Sequence, residues 1–543
     1  MDTGTRHQLP QLSDFPPEQV NPTVRLLLEI IHEQQAQIHA LREENQALRD
    51  EIARLKGGNP RPRIKPSKLE GGKPGEDQRK GQGRGKNKRS KTRHMQIHED
   101  VVIPPQVEVP VNSRFKGYDD FVVQDLVIGS HNIRYRVERW VTPAGETLRG
   151  QLPASLDGGH FGPTLRAFVV YQYHHAHVTQ PLLLEQLGEW GIEISAGQLS
   201  RLITEGHDAF HAEKDELLRA GLAGSDFIHV DDTGARHRGR NGYCTHIGND
   251  FFAFFASTDS KSRINFLALL RAGDPRYVLN DQALAYMAHQ QLPQALLEKL
   301  ATLESSTMVG DAAWQGTLEG LVITNERHVR IATEGALLGA VLTTPINPDL
   351  VIISDDAGQF NVLIHALCWI HAERGIHKLV GFSPAQRAAL AWVRDEIWAI
   401  YQALKDYRKT PSAAARAAIE ARFQTLCTTK TCFAKLNEAL VRLHRNGAEL
   451  LRVLDYPQIA LNNNLAERDI REYVKKRKIS GSTRSQAGRR CRDTFASLKK
   501  TCRKQGISFW QYLLDRLKAT ESTPWLPDMI FGARGRAQPA RGP

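Results

Sequence analysis

Two short apolar runs in this chain each end in a pair of aspartates, and this pattern constrains the fold more than any other feature of the sequence. The first run, Phe-Ile-His-Val, is followed by Asp231 and Asp232; the second, Val-Ile-Ile-Ser, is followed by Asp355 and Asp356. Short runs rich in β-branched and aromatic residues are typical of buried strands. Acidic residues on a protein surface need no explanation, whereas acidic residues at the ends of buried strands indicate a binding site for a divalent metal ion.

A third acidic residue, Glu467, follows a run of three asparagines and opens a segment rich in arginine and lysine. Because asparagine is a favourable helix cap, this pattern predicts a helix that begins near Glu467. Together, Asp231, Asp355 and Glu467 offer hard oxygen ligands. Such a set can hold two Mg²⁺ (or Mn²⁺) ions and leave positions open for water and phosphate oxygens.

Each of these acids also has an ordinary structural interpretation. Asp232 and Asp356 could cap turns, and Glu467 could be a first-turn acid that the helix dipole favours. Alternation along the strands does not decide which aspartate of each pair would bind metal, because a central strand can be covered on both faces. Asp311, in Met-Val-Gly-Asp-Ala, is an alternative for the second acid.

The order of the predicted elements fits a ribonuclease H-like fold. A three-strand meander is expected over 226–258, a helix over about 262–271, a strand over 350–354 and the acidic helix from 467, with a short helix expected at 359–367. The predicted fold class is α/β: a ribonuclease H-like catalytic domain over 225–480 with helical insertions at about 272–346 and 384–455. An N-terminal coiled coil and a small β-rich module are expected in addition.

The coiled coil is predicted from a heptad repeat within 22–56. β-branched residues occupy most a positions and leucine most d positions, which favours a parallel dimer, and an asparagine at one a position would fix the register. The alternative is a single amphipathic helix packed on its own protein. The residues expected at the dimer interface are Ile31, Ile38, Leu41, Asn45, Leu48, Ile52 and Leu55.

The next segment, 57–94, carries most of the chain's net charge of +12, with 13 Lys/Arg against 3 Asp/Glu between 61 and 93. It cannot bury apolar area and is predicted to be disordered when free. It is either a solvated linker or a basic arm that binds DNA phosphates. The affinity of such an arm for DNA falls as the salt concentration rises. The charge balance therefore points to a polyanionic partner.

Two further segments precede the predicted meander. Residues 95–155 contain short Val/Ile/Tyr/Phe runs between turn residues and are predicted to form the small β-rich module. Over 160–222 the period becomes helical, with helices expected at 180–187 and 196–203 and a capping box formed by Ser195 and Gln198. This pair predicts a helix-turn-helix in which Gln198 and Arg201 face a DNA groove, although many such helix pairs do not touch DNA.

Basic residues cluster after Glu467 and are predicted to position the DNA backbone. A solvated basic helix is the alternative interpretation. The residues concerned are Arg471, Lys475, Arg477 and Lys478. From 481 to 543 the chain is expected to continue as a basic helical region.

Three blocks of the sequence resemble the insertion-sequence 66 family of bacterial transposases, over about 225–515. The blocks are His229-Val-Asp231-Asp-Thr233, then Ser354-Asp355-Asp-Ala-Gly358 with Cys368-Trp-Ile-His371, and finally Asn463-Asn-Leu-Ala-Glu467-Arg. The resemblance implies a ribonuclease H-like catalytic domain in which Asp231, Asp355 and Glu467 are the metal ligands.

Cys368 and His371 match a Cys/Asp-x-x-His element of related transposase groups. A zinc site there would lack two ligands, so the pair is interpreted as structural or DNA-positioning. The sequence departs from many relatives at 95–155, where they carry a cysteine-rich module and this chain has no cysteine. Zinc is therefore not expected in that segment.

The resemblance implies a DNA transposase that binds the terminal inverted repeats of its element as a dimer or higher assembly. It would cleave with Mg²⁺-activated water and join the exposed 3′-hydroxyl to target DNA, with element-encoded accessory proteins as further candidate partners. No apolar run is long enough to span a membrane, and we expect a cytoplasmic, nucleoid-associated bacterial protein. The alternatives are a catalytically inactive DNA-binding repressor, a ribonuclease H-like nuclease, and a coiled-coil scaffold for polyanions.

Overall fold

The computed structural model describes residues 96–534, apart from 107–109, 111–112, 117, 120–121, 154–155, 157–158 and 304. The predicted coiled coil (22–56), its interface residues and the basic arm (57–94) lie outside the described residues. The chain divides into two units, 1–124 and 125–543. In the first unit, the described residues have no helix or strand and are nearly all exposed.

The predicted β-rich module is much smaller than expected in the described part of 95–155. That part contains a single antiparallel hairpin, β1 (Arg139–Val141) and β2 (Thr147–Arg149). Both strands are exposed, as are most apolar side chains of the segment, with Val127 97% accessible. Strand-like runs form a sheet only where they find a partner strand and a core to cover one face.

A small helical bundle follows, built from α1 (Pro163–Val170), α2 (Gln180–Glu189) and α3 (Ala196–Thr204). This confirms the predicted helix pair. The capping box is also present: the Ser195 hydroxyl accepts from the Gln198 backbone N–H, and the Gln198 side chain accepts from the Ser195 backbone N–H. The bundle has a core of its own, formed by Val169, Leu183, Leu187, Leu199 and Ile203. A longer helix, α4 (Asp208–Gly224), leads from the bundle to the sheet.

The remaining strands, in chain order, are β3 (Phe227–Gly234), β4 (Tyr243–Gly248), β5 (Ala253–Thr258), β6 (Arg276–Val278), β7 (Thr307–Val309), β8 (Val351–Ser354) and β9 (Ile364–Leu367). β6 and β7 form a separate two-stranded sheet, and the other five form a mixed sheet in the order β5-β4-β3-β8-β9. Only β4 runs against its neighbours, because β3 pairs in parallel with β8, and β8 with β9. The predicted meander is confirmed, and β3 lies at the centre of the sheet.

The segment 359–367 was predicted to be a short helix, and this prediction is wrong. It contains a single 3₁₀ turn, Gly358–Phe360, followed by the edge strand β9. Parallel pairing with β8 holds these residues extended. A short apolar run does not by its periodicity distinguish a strand from a buried helix.

The first helical insertion surrounds the small sheet. Its helices are α6 (Asp281–His289), α7 (Gln294–Ala301), α8 (Asp311–Gly320) and α9 (Glu326–Thr343). They follow α5 (Arg263–Leu270), a helix that the sequence predicted and that begins after the capping residue Ser262. The insertion is thus largely helical but also contains β6 and β7.

The second insertion and the C-terminal region are helical, as predicted. After α10 (Trp369–His377), the insertion consists of α11 (Pro384–Tyr407), α12 (Ala413–Thr428), α13 (Ala434–Arg445) and α14 (Gly447–Leu450). The chain then continues through α15 (Asn464–Ser480), α16 (Gln486–Lys504), α17 (Phe509–Lys518) and α18 (Leu526–Arg534).

Two apolar cores cover the two faces of the five-stranded sheet. Ile228 and Ile352 point into one core with the first insertion, whereas Val351 and Ile353 point into the other with the second insertion. The central strands are therefore buried on both sides, which is why their sequences are almost continuously apolar. Within the described ranges, no helix combines the length and the apolar character that crossing a bilayer requires.

Candidate active site

Asp231 and Asp355 lie at the same level of two neighbouring parallel strands. In the register of β3 with β8, His229 stands opposite Ile353. Continuing that register towards the carboxyl ends brings Asp231 level with Asp355. Because side chains two residues apart share a face of a strand, Asp231 lies on the face that carries His229, and Asp355 directly follows the last residue of β8.

Asn463 connects the start of α15 to β3. Its Nδ2 donates to the Val230 carbonyl at 2.7 Å, and its Oδ1 accepts from Nδ1 of His229 at 3.0 Å. The Asn463 carbonyl in turn accepts the backbone N–H of Glu467 at 3.2 Å. The buried asparagine therefore fixes the first turn of α15, which carries Glu467, against the residues that precede Asp231.

Cys368 belongs to the same hydrogen-bonded cluster. Its buried sulfur accepts the backbone N–H of Asn463 at 3.2 Å, and its own backbone N–H donates to the Ser354 carbonyl at 2.9 Å. Burial raises the pKa of the Cys368 thiol. Cys368 thus ties the start of α10 both to the end of β8, next to Asp355, and to α15.

His371 faces Glu467. Its Nε2 lies 3.5 Å from Oε1 of Glu467, and NH1 of Arg374 lies 3.3 Å from the same ring nitrogen. Oε1 of Glu467 is buried and accepts no hydrogen bond from any described residue. This carboxylate oxygen is available to a further positively charged group.

The second aspartate of each pair is already neutralised. Asp232 forms an ion pair with Lys261, and its Oδ2 accepts from Nε2 of Gln359 at 2.7 Å. Asp356 forms an ion pair with Arg442, whose NH2 lies 2.7 Å from its Oδ2. Among the described residues, neither Asp231 nor Asp355 has an ion pair. This difference separates the members of each pair, which the sequence alone could not do.

The charges of the three predicted acids act on one another. Burial, together with the charges of Asp355, Asp232 and Glu467, raises the pKa of Asp231 to about 7, although the hydrogen bond from the Asp232 backbone N–H opposes the rise. Like charges that face one another across a partly buried site destabilise the ionised forms. A divalent cation between them would relieve that repulsion.

The donor set suits a hard divalent cation, since it consists of carboxylate oxygens with an unsatisfied acceptor on Glu467. In the part of the chain that the structure describes, however, no three His, Cys, Asp or Glu side chains are already close enough to hold a metal ion. Metal binding would require the carboxylates to move towards one another. The alternative acid Asp311 lies elsewhere, at the start of α8, where it accepts from the Tyr277 hydroxyl at 2.8 Å.

The basic residues predicted to contact DNA are not equivalent. Arg471 and Lys475 are about two-thirds exposed, and each has only a long contact with an acid on its own helix, Glu467 and Glu472. Lys478 is exposed as well. Arg477 differs, because its NH1 bonds the Thr233 hydroxyl and the Gly234 carbonyl and thus ties α15 to the end of β3.

In the predicted helix-turn-helix, Arg201 is exposed, whereas the side-chain oxygen of Gln198 is engaged in the capping box. Because the capping box uses this oxygen, it cannot bind a DNA base in the groove at the same time. Lys261, which holds Asp232, was not predicted from the sequence. Lys476 belongs to the basic cluster after Glu467, but it is buried, with its Nζ 3.5 Å from the centre of the Tyr173 ring.

Comparison with known proteins identifies the family. The sequence profile described as "Transposase IS66 family" matches residues 158–267 and 351–490, which include all three predicted acids. The uncharacterized protein y4jO of Sinorhizobium fredii (strain NBRC 101917 / NGR234) is 43% identical over 303 residues, which are 55% of this chain and 94% of that protein. The chain belongs to the IS66 transposase family.

Proposed function

We propose that this transposase is a metal-dependent enzyme of the Asp-Asp-Glu type, with a ribonuclease H-like catalytic domain at 225–480. The sheet supports the fold assignment: β3 is central, β8 and β9 continue it in parallel, and only β4 is reversed. The central strand β3, which carries Asp231, lies beside β8, which precedes Asp355, and the later helix α15 carries Glu467. The sequence predicted these elements in this order.

One observation carries the proposal. Asp231 and Asp355 reach the same level of adjacent parallel strands, and the charge of Glu467 acts on Asp231. Their neighbours Asp232 and Asp356 are held by cations. Among the described residues, Asp231 and Asp355 have no ion pair, and Glu467 has only the longer contacts with His371 and Arg471.

Asp231, Asp355 and Glu467 would hold two Mg²⁺ (or Mn²⁺) ions. When bound, such ions lower the pKa of the attacking water or 3′-hydroxyl and stabilise the leaving oxygen. The water oxygen would attack the phosphodiester in line, forming a new P–O bond and losing a proton. The bond from phosphorus to the 3′-oxygen of the element would break, and that oxygen would take up a proton to give a free 3′-hydroxyl. That hydroxyl then attacks a phosphodiester of target DNA and releases the 3′-oxygen there.

The surrounding residues keep these acids in place and limit competition. His371 orients Glu467, and Asn463 and Cys368 hold together the three elements that carry the acids. Lys261 neutralises Asp232, so that this carboxylate does not compete with Asp231 for a cation. Asn463 and Cys368 are buried and hydrogen-bonded, and buried polar groups that have their partners resist rearrangement.

DNA binding is proposed to involve three parts of the chain. Exposed cations on α15, including Arg471, Lys475 and Lys478, would contact the backbone near the scissile phosphate. The α2–α3 pair would bind the inverted repeat with Arg201. The coiled coil at 22–56 would form the dimer, or a higher assembly, and the arm at 57–94 would add non-specific affinity; accessory proteins of the same element are proposed partners.

The proposal is tested with the full chain and a duplex that carries the DNA flanking its gene. We expect Mg²⁺-dependent cleavage at the element ends and joining of the new 3′-end to a plasmid. Binding without cleavage would instead identify a DNA-binding derivative. Cleavage without preference for the ends, and without joining, would identify a nuclease.

A further inference from the structure

A cleft of about 380 Å³ opens beside Asp355, between α10 and α13. Its walls carry His371 and Arg374 from α10, Lys378 from the end of that helix, and Arg442 from α13. The lining thus combines two acids, Asp355 and Asp356, with three cations, Arg374, Lys378 and Arg442. The function proposed above assigns no contact with DNA to Arg374, Lys378 or Arg442.

The cations on the α10 side lie on one helical face. His371, Arg374 and Lys378 are spaced by three and four residues, which places them in a row along a helix. Gly375 lies within this row and is exposed, and a side chain at that position would meet no atom within 4 Å. The floor of the cleft is thus open, with cations on either side of it.

Both walls are anchored in the same apolar core. Trp369 and Ile376 of α10 are buried with Leu440 and Leu443 of α13. The indole N–H of Trp369 also donates to the Leu450 carbonyl at 2.8 Å. Because densely packed interiors resist deformation, the cleft is preformed by the second insertion.

The charges in the cleft are unevenly compensated. Arg442 is engaged by Asp356, with Nε and NH2 at 3.0 and 2.7 Å from Oδ2, and Asn446 contacts the other oxygen. Arg374 and Lys378 are exposed, and neither forms an ion pair with a carboxylate in the described part of the chain. Two unpaired cations in a groove beside a proposed catalytic acid suit the phosphates of a DNA backbone.

We propose that the α10–α13 cleft binds the backbone of duplex DNA next to the scissile phosphate, with Arg374 and Lys378 each contacting a phosphate. The inference rests on the proposed function, since that function places a phosphodiester at Asp355. It assigns the second insertion a role in holding the substrate. Arg442 would line the same track while it keeps Asp356 in place.

The first test measures DNA affinity at several salt concentrations, without divalent metal, with the full chain and a fluorescein-labelled duplex. Each phosphate contact contributes about 0.9 to the slope of log K against log salt, so Arg374→Gln/Lys378→Gln should reduce that slope by about 2. Arg445→Gln is the matched control, because Arg445 is exposed on α13 but does not line the cleft. A slope equal to that of the unmodified chain overturns the proposal.

The second test locates the DNA. Cys432 is the exposed cysteine, and the other five cysteines are buried, so a Cys432→Ser background provides a chain without an accessible thiol. The Gly375→Cys thiol should react with a maleimide in free protein and lose that reaction when the duplex is bound. The control is Gly316→Cys, an exposed helical glycine with open space around it on α8, whose labelling should not change.

Labelling of the Gly375→Cys thiol that is unaffected by saturating DNA contradicts the proposal, even if the chain cleaves DNA normally. Both tests measure DNA binding and do not depend on cleavage. A reduced salt slope and protection of the thiol in a chain that never cleaves DNA would support the cleft and reject the catalytic proposal.

Discussion

The side-chain amide of Asn463 joins β3 to α15: it bonds the ring of His229 and the carbonyl of Val230, the residue before Asp231. Its backbone N–H reaches Cys368 and its carbonyl receives the N–H of Glu467. The three sequence blocks that identify the family therefore meet in one hydrogen-bonded cluster. Asn463 is a positioning residue, since it acts on the acids through their neighbours.

Replacement of Asn463 tests this role. Asn463→Ala leaves the His229 N–H and the Val230 carbonyl without partners in a buried site, which should cost about 1–3 kcal/mol of unfolding free energy. Urea unfolding measures that loss. Cleavage should also need a higher Mg²⁺ concentration for half its maximal rate. Asn462→Ala is the control: Asn462 donates to the Tyr401 hydroxyl and accepts the Asn464 N–H, but among the described residues it has no hydrogen bond to β3. An equal Mg²⁺ requirement in both variants would show that Asn463 is merely structural.

The acids should destabilise the metal-free protein. Because the pKa of Asp231 is raised from 3.8 to about 7, the folded chain holds a proton that the unfolded chain has already lost between those values. The stability contribution of Asp231 therefore falls as pH rises through this interval and stays low above it. Asp231→Asn should raise the unfolding free energy at pH 8 by on the order of 2 kcal/mol.

The same comparison in saturating Mg²⁺ should reverse the sign, because only the carboxylate gains from the cation. Asp356→Asn is the matched control. Since Asp356 is already paired with Arg442, its replacement should not stabilise the chain. Stabilisation by Asp356→Asn but not by Asp231→Asn would contradict the assignment of the unpaired acids.

Glu472 should contribute stability that disappears in acid. It lies on α15 and pairs with Lys499 and Arg503 of α16, each at 3.3 Å. Burial alone would raise the pKa of Glu472, but these cations outweigh it and lower the pKa to about 2. The contribution is therefore complete above about pH 4.5 and is lost as pH falls towards 2.

Glu472→Gln should cost about 1 kcal/mol at pH 7, a value reduced for the part of the side chain that solvent screens. Chemical denaturation at pH 7 and pH 3 measures the difference, which should shrink at the lower pH. The exposed pair of Glu438 with Lys435 provides the control, and Glu438→Gln should change little at either pH. A pH-independent effect of Glu472→Gln would indicate lost packing instead of lost charge.

Lys261 should set the pH dependence of cleavage. It neutralises Asp232 and lies close enough to Asp231 and Asp355 for their charges to act on it. Without this cation the neighbouring carboxyls hold their protons to higher pH, so Lys261→Ala should shift the rising limb of the pH–rate profile upwards. Lys261→Arg should restore the profile. An unshifted pH–rate profile for Lys261→Ala would show that this lysine does not influence the ionisation of the site.

The sequence predicted the elements that carry the acids because local signals specify them. Apolar β-branched runs mark β3 and β8, and the asparagines before Glu467 mark the start of α15. The strand β9 was mistaken for a helix, since its four residues are extended by pairing with β8, a contact distant in the sequence. Neither periodicity nor capping reports such a contact.

Local sequence signals also did not identify the side chains that pair with the acids. Lys261 follows β5 in a turn and reaches Asp232 only because β3, β4 and β5 form a meander. Arg477 was predicted to contact DNA, but the packing of α15 against β3 directs it to Thr233. Charge on a helix is visible in a sequence, whereas the group that a charge faces depends on tertiary packing.

The most direct test of the central claim is cleavage of an end-containing duplex by variants that differ in one carboxylate. Asp231→Asn, Asp355→Asn and Glu467→Gln should each abolish Mg²⁺-dependent cleavage while DNA binding is retained. Asp232→Asn and Asp356→Asn should keep measurable activity. Normal cleavage by any one of the first three variants would contradict the proposed active site.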